Sequence, residues 1–342
     1  MVIAIKKGQL VKAIICEEFG KISDIKWKNV NSPNINEEEV LIRVLAAGVN
    51  YPDSLIVQGL YQFKPTVPFS PGHEGAGIVE RVGANVAGFK EGDRVFFLTN
   101  FGAFSEKISV HYTQVFHLGP KVSFEVGASA FMTYGTSFHA LVQRANISAN
   151  KNVLVLGGAG GVGLAAIDIA KSFGSKVVAV VSNKKKAALC KKYGADKTII
   201  IDDNLDEKSL TEALKTQAGS FDIVYDPVGG SLSIPALRTI NWGGVFLVVG
   251  FASKTITKIP ANLPLLKGCS ISGVFIGRFQ KEAPHLFLEN TKKILQMVKE
   301  KRLNPHISIV ENMENAPRVL ENIFTRNLVG KAVLVNKDVL AR

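Results

Sequence analysis

The stretch "VLVLGGAGGVGLAAIDIAKSFG", residues 153–174, constrains the fold more than any other part of the chain. Four aliphatic residues in a row, a glycine run and then apolar residues at helical spacing predict a strand, a tight turn and a helix closed by Gly174. From Asn152 onward the same alternation repeats through "NVLVLGG", "KVVAVVS", "KTIII", "FDIVYDP", "GGVFLVVGF" and "CSISGVFIG". Near-continuous aliphatic strands alternating with helices predict an α/β unit, a doubly wound parallel sheet of six strands covered on both faces.

Within that frame Gly158, Gly160 and Gly163 fit GxGxxG directly after a strand and at the opening of a helix. Glycines there let the backbone approach a pyrophosphate, whose charge meets the free N–H groups and positive end of the helix. Gly158, Ala159, Gly160, Gly161, Val162 and Gly163 are therefore cofactor-binding candidates; the alternative is a turn that only joins strand to helix. About twenty residues past the motif, NAD-binding chains carry an acid for the ribose hydroxyls. This chain has Ser182 there, followed by Asn183, Lys184, Lys185 and Lys186. Hydroxyl and ammonium groups attract a 2′-phosphate that a carboxylate would repel, so NADPH is favoured. Ser182 and Lys186 are its candidate ligands, while Lys191 and Lys192 read as a solvated helix face.

Ahead of this unit the chain reads as short β-rich pieces: "VKAIIC", "EVLIRVLAAG", "GAGIVERVG", "GDRVFFL" and "FSEKISV". A helix is predicted around residues 125–146, two more at 285–301 and 314–325, then a closing strand "GKAVLV". The expected domains are 1–130 with 279–342, β-rich, and 131–278, cofactor-binding. With 342 residues and 46% hydrophobic content, two sizeable cores are affordable. No apolar stretch approaches the roughly twenty residues of a membrane span. The start, "MVIAIKKGQLVKAIICEEFG", reads as unprocessed and cytoplasmic, and three scattered cysteines (Cys16, Cys190, Cys269) suit a reducing compartment. A net charge of +12 favours anionic partners in general.

"PFSPGHEGAGIVERVG", residues 68–83, sets His73 beside Glu74 and raises the question of a metal site. Taken alone, Asn50 in "GVNYPD" reads as a turn residue and Tyr61 in "QGLYQF" as half-buried packing. The ordered series "AAGVNYPD", "PGHEGAGIVERVGANVAGFKEGDRV", "GAFSEK", "GGAGGVGLAAIDIAKSFGSKVVAV", "KKYGAD" and "NLVGKAVL" changes that reading. It resembles the medium-chain dehydrogenases/reductases, and within them the zinc-independent quinone oxidoreductases related to zeta-crystallin, from about Val11 to Val335.

The resemblance implies a GroES-like substrate domain built from both chain ends, a Rossmann domain between them in sequence, NADPH, and a homodimer or other homo-oligomer. It places Asn50, Tyr61 and Asp53 in the catalytic set: Asn50 and Tyr61 polarise the acceptor oxygen, and Asp53 holds local geometry. It adds Thr136, Gly250, Phe251, Phe275 and Asn327 to the cofactor contacts. Leu55 stands where some quinone oxidoreductases have a second tyrosine, so contacts of that tyrosine do not transfer. In zinc-dependent relatives the metal takes a cysteine, the histidine of GHE and usually a second cysteine; here those positions are Asn50, His73 and a place near Met132. An amide and a thioether are poor zinc donors, so no metal is expected.

The expected function is reduction of quinones or α,β-unsaturated carbonyl compounds by NADPH, with a small-molecule substrate and neither a membrane nor a specific nucleic acid as partner. Two alternatives stay open. An enoyl thioester reductase uses the same hydride logic on a longer acyl chain. A non-catalytic NADPH- or RNA-binding protein is permitted by the charge, but no RNP-like aromatic motif accompanies it.

Overall fold

A computed structural model describes residues 9–201 and 206–336. Of the segment read as an unprocessed start, residues 1–8 lie outside the described residues. The chain divides into two compact units, one taking residues up to Met132 and from Ile307 onward, the other Thr133–His306.

The first unit is built on a seven-stranded sheet ordered Ile307–Asn312, Lys331–Val335, Glu39–Val49, Glu74–Val82, Arg94–Leu98 and Val115–His117, with Lys107–His111 also on Glu39–Val49. The eleven-residue strand Glu39–Val49 is its spine. It pairs antiparallel with Glu74–Val82 along its length, with Lys107–His111 over its first half and with Lys331–Val335 over its second. A short antiparallel pair, Leu10–Ile15 with Lys26–Asn31, lies outside the main sheet. Lys26–Asn31, "KWKNVN", carries little apolar alternation and was not legible as a strand.

Register does the decisive work here. Gly48 stands opposite Glu74, and Ala332 opposite Val49, so Lys331, Asn50 and Glu74 arrive at one end of three neighbouring strands. A side chain at position 48 would put its Cβ 2.0 Å from Ala128 O and 2.7 Å from Glu74 Oε1; glycine leaves room for the carboxylate.

The second unit holds six parallel strands in the order Lys197–Ile200, Lys176–Val181, Asn152–Leu156, Phe221–Asp226, Ile240–Val248, Ser270–Gly273. The expected α/β architecture, a GroES-like β-rich domain plus a Rossmann six-stranded doubly wound sheet, is the one observed. Val153, Leu154, Val155 and Leu156 are all fully buried, as a strand covered on both faces requires. The order reverses between Asn152–Leu156 and Phe221–Asp226, the switch point beside which such sheets bind ligands.

Two expectations need correction. The helix read over 125–146 is an α-helix only over Phe124–Phe138, followed by a π-helical turn, His139–Arg144. The second junction stands at 306/307 rather than 278/279, because the helix Pro284–Lys299 packs with the second unit. Its Phe287, Ile294 and Met297 are buried, and its Asn290 amide exchanges hydrogen bonds of 3.0 and 3.1 Å with Gln143. The first junction falls at 132/133, two residues after the expected position. No helix among the described residues is long and apolar enough to cross a membrane.

Candidate active site

In the first unit Asn50 precedes the helix Tyr51–Val57, where Pro52 supplies a fixed φ in the first turn. Asp53, fully buried, turns back on the chain: its Oδ2 accepts the Asn50 backbone N–H at 2.7 Å. Its Oδ1 lies 2.5 Å from His73 Nδ1. Asp53 therefore satisfies a helix-start donor and orients a histidine at once.

The Asn50 side chain is 7% exposed and joins a closed triangle of polar contacts. Its Nδ2 donates to Glu74 Oε1 at 3.0 Å, and its Oδ1 accepts from Lys331 Nζ at 2.6 Å. Lys331 Nζ also reaches Glu74 Oε1 at 2.6 Å, and Met132 N–H donates to Glu74 Oε2 at 2.9 Å. An ammonium only donates and a carboxylate only accepts, so the Asn50 amide has a single consistent orientation. One of its two N–H bonds is committed to Glu74; the other has only a long contact, 3.5 Å, with Gly48 O. One amide N–H of Asn50 is thus left for a further partner.

Tyr61 sits beside this group, its ring edge-on to His73 with centroids 6.5 Å apart. Burial, and secondarily the Asp53 charge, push its phenol pKa up. The hydroxyl is therefore held as a neutral donor, and among the described residues it has no hydrogen-bond partner. Leu55 is half-buried in the Tyr51–Val57 helix.

The donor set does not fit zinc. Among the described residues no group of three or more His, Cys, Asp or Glu side chains could hold a metal. Both Glu74 oxygens are occupied, one by a lysine ammonium. A dication and an ammonium would compete for the same carboxylate oxygen.

In the second unit, the candidate cofactor residues gather along one edge. Because all six strands run parallel, the segments that follow Leu156, Val181, Val248 and Gly273 leave from the same side of the sheet. Those segments carry Gly158–Gly163, Ser182, Gly250 with Phe251, and Phe275. The turn feeds the helix Gly161–Ser172, whose N-cap Gly160 has no side chain to satisfy the first N–H groups. Outward from Gly160 a Cβ would meet nothing nearer than Gly157 O at 3.4 Å, leaving a surface that a pyrophosphate can approach. At Gly163 a Cβ would lie 2.4 Å from Gly157 O, so strand and helix close on each other only with glycine there. Ala159 is buried, and Val162 accepts a 2.9 Å hydrogen bond from Ser137 Oγ through its carbonyl. Buried Thr136 is the chain neighbour of Ser137.

Ser182 and Lys186 are brought together: Lys186 Nζ donates to Ser182 Oγ at 3.0 Å, and Asn183 caps their helix by accepting Lys186 N–H at 2.9 Å. Phe251 and Phe275 are exposed, and Gly250 N–H reaches Asp226 O at 3.3 Å. Asn327 belongs to the first unit, in a turn where its Nδ2 donates to Thr325 Oγ1 at 3.1 Å.

Two residues escaped sequence reasoning. Lys331 was visible only as the lysine of "NLVGKAVL", with nothing to pair it with Glu74. Asp226, at the end of its strand, holds the following loop through Val228 N–H, Gly229 N–H and Ser233 Oγ at 2.6–2.9 Å, while burial raises its pKa. "FDIVYDP" carried the aspartate, but only the turn geometry reveals its partners.

Comparison with known proteins agrees with this layout. The family described as alcohol dehydrogenase GroES-like domain matches residues 36–121, and that described as zinc-binding dehydrogenase matches residues 161–293. Quinone oxidoreductase-like protein 2 of Bos taurus is 34% identical over 330 residues, covering 96% of this chain and 93% of the relative. Quinone oxidoreductase of Sus scrofa is 31% identical over 332 residues, covering 96% and 98%. Among solved structures, Escherichia coli quinone oxidoreductase complexed with NADPH is 25% identical with a TM-score of 0.86, covering 95% of this chain and 99% of that one. Quinone oxidoreductase of Pseudomonas syringae pv. tomato is 26% identical with a TM-score of 0.86 and the same coverage.

Proposed function

This chain belongs to the quinone oxidoreductase family of medium-chain dehydrogenases/reductases, and from that premise we propose that it is an NADPH-dependent, zinc-independent reductase of quinones or α,β-unsaturated carbonyl compounds. The observation that carries the reading is the pairing of Ser182 with Lys186 at the sheet edge beside a glycine turn that leaves room for a pyrophosphate. The NADPH bound in the Escherichia coli relative supports it.

The residues suited to the cofactor are Gly158, Ala159, Gly160, Gly161, Val162 and Gly163 for the pyrophosphate and Ser182 with Lys186 for the 2′-phosphate. Thr136, Gly250, Phe251, Phe275 and Asn327 complete the proposed contacts. When bound, the nicotinamide supplies a hydride. The chain itself supplies the response to the charge that follows: negative charge builds on the acceptor oxygen, and donors already aimed at it lower the barrier. Tyr61 Oη and the uncommitted Asn50 N–H are those donors. Asp53 fixes Asn50 and His73 in place, and solvent or Tyr61 delivers the proton. Leu55 makes the acceptor side more apolar than a second tyrosine would.

Replacing Ser182 by Asp together with Lys186 by Glu is expected to weaken NADPH binding roughly 100-fold and leave NADH within a few-fold, since charge-assisted hydrogen bonds turn into repulsion. Fluorescence titration with each cofactor checks this; equal losses for both would sink the 2′-phosphate assignment.

The function is tested by mixing the protein and NADPH with para-quinones, enones and enoyl thioesters. Oxidation with quinones or enones is expected. A strict preference for thioesters would transfer the protein to the enoyl reductases, and no oxidation despite cofactor binding would overturn the reading. Metal analysis of the same sample, with stoichiometric zinc as the contrary result, decides zinc independence. The proposal extends to a cytoplasmic homodimer. The edge strand Ser270–Gly273 with exposed Ile271, and exposed Trp242 on the neighbouring strand Ile240–Val248, support the dimer, and a monomeric mass by light scattering would remove it.

A further inference from the structure

Lys331 is 5% exposed, and its ammonium touches Asn50 Oδ1 and Glu74 Oε1 at 2.6 Å each. Burying an ammonium with a carboxylate seldom adds net stability over an apolar pair of the same size, because both ions lose their water. The pair therefore calls for a reason other than holding the sheet together.

Three facts give one. The triangle closes, since Asn50 Nδ2 also reaches Glu74 Oε1 at 3.0 Å, so the amide cannot flip without setting its N–H groups against the ammonium. The second N–H of the amide, whose Nδ2 lies 3.5 Å from Gly48 O, is left as the Asn50 donor open to a ligand. A cation on the amide oxygen draws electron density from the nitrogen and strengthens that donor, more so in a buried site than in water.

We propose that Lys331 is the positioning residue of the acceptor site, an internal cation that fixes and polarises the Asn50 carboxamide in a donor cluster that does not fit a zinc ion. The proposal rests on the reductase reading above. Lys331 acts through Asn50 and moves no proton itself. Hydride arrival on the acceptor places an electron pair on its oxygen, the Asn50 N–H stabilises that charge, and the oxygen is then protonated as described above.

The test compares Lys331→Met with the double variant Glu74→Gln, Lys331→Met. The single variant leaves Glu74 charged and is expected to lose stability. The double variant removes both charges and is expected to regain most of the thermal stability and to bind NADPH within about two-fold of the parent. Its kcat with 1,4-naphthoquinone should stay about 100-fold down with KM little changed, the size of effect seen when an oxyanion donor is lost. Recovery of kcat along with stability would overturn the proposal, leaving Lys331 as no more than the neutraliser of Glu74. Full activity in Asn50→Ala would overturn it as well, because Lys331 would then have nothing to position.

A readout independent of turnover separates this proposal from the reductase reading. The Asn50 side-chain amide protons, followed by NMR, should exchange slowly in the parent protein and fast in the double variant. If the parent reduces none of the acceptors, the reductase reading fails and the amide exchange alone decides: unchanged exchange rejects Lys331, and accelerated exchange keeps it as the residue that orders Asn50.

Discussion

Glu74→Ala is expected to destabilise the protein by about 3–5 kcal/mol, the cost of stripping one partner from a buried ion pair. Glu74 is fully buried, and its removal leaves the Lys331 ammonium with Asn50 Oδ1 alone among the described residues. One Asn50 N–H loses its acceptor at the same time, and the Met132 N–H loses its bond to Glu74 Oε2. The orphaned Asn50 donor adds about 1–3 kcal/mol unless water reaches it. Glu74→Gln keeps an acceptor oxygen for some of these donors and should cost less than the alanine change. Urea unfolding of the two variants checks both the size and the order. A loss below about 1 kcal/mol for the alanine variant would mean that the cluster is hydrated and not a buried pair.

Tyr61→Phe separates chemistry from packing. Its hydroxyl has no hydrogen-bond partner among the described residues, and the ring contact with His73 survives the change. Stability should therefore move by no more than about 0.5 kcal/mol. The turnover number should fall about 100-fold, because one of two donors to the acceptor oxygen is gone. Because burial raises the phenol pKa, the wild-type enzyme should show no loss of this donor as pH rises through the neutral range to the ordinary tyrosine value. Steady-state kinetics across that range, with guanidinium unfolding alongside, make the comparison. An unchanged kcat would reduce Tyr61 to a packing residue.

What the sequence made legible came from local pattern. The "NVLVLGG" run and its five successors predict parallel strands because a strand buried on both faces needs aliphatic residues at every position, and all six appear. Ser182 and Lys186 stand four residues apart at a helix start, where geometry makes near neighbours of them, and they do meet. The helix over 285–301 was legible from its spacing, but its allegiance was not, because Asn290 finds Gln143 147 residues away. The π-helical turn at His139–Arg144 left no trace in the apolar spacing.

"GHE" shows the division most clearly. The family resemblance set Asn50 and a place near Met132 where zinc-dependent relatives have cysteines, and residue type alone makes an amide and a thioether poor zinc donors. By itself the sequence determined the two βα and β-rich patterns, which depend on period and turn chemistry over a few residues. Only the tertiary structure decided what Glu74 holds instead. Lys331 lies 257 residues from Glu74 and 281 from Asn50, and they meet because the register of three strands places Gly48 opposite Glu74 and Ala332 opposite Val49. Strand register is settled by the burial of whole sheet faces, a property of the assembled core that no single stretch of chain contains.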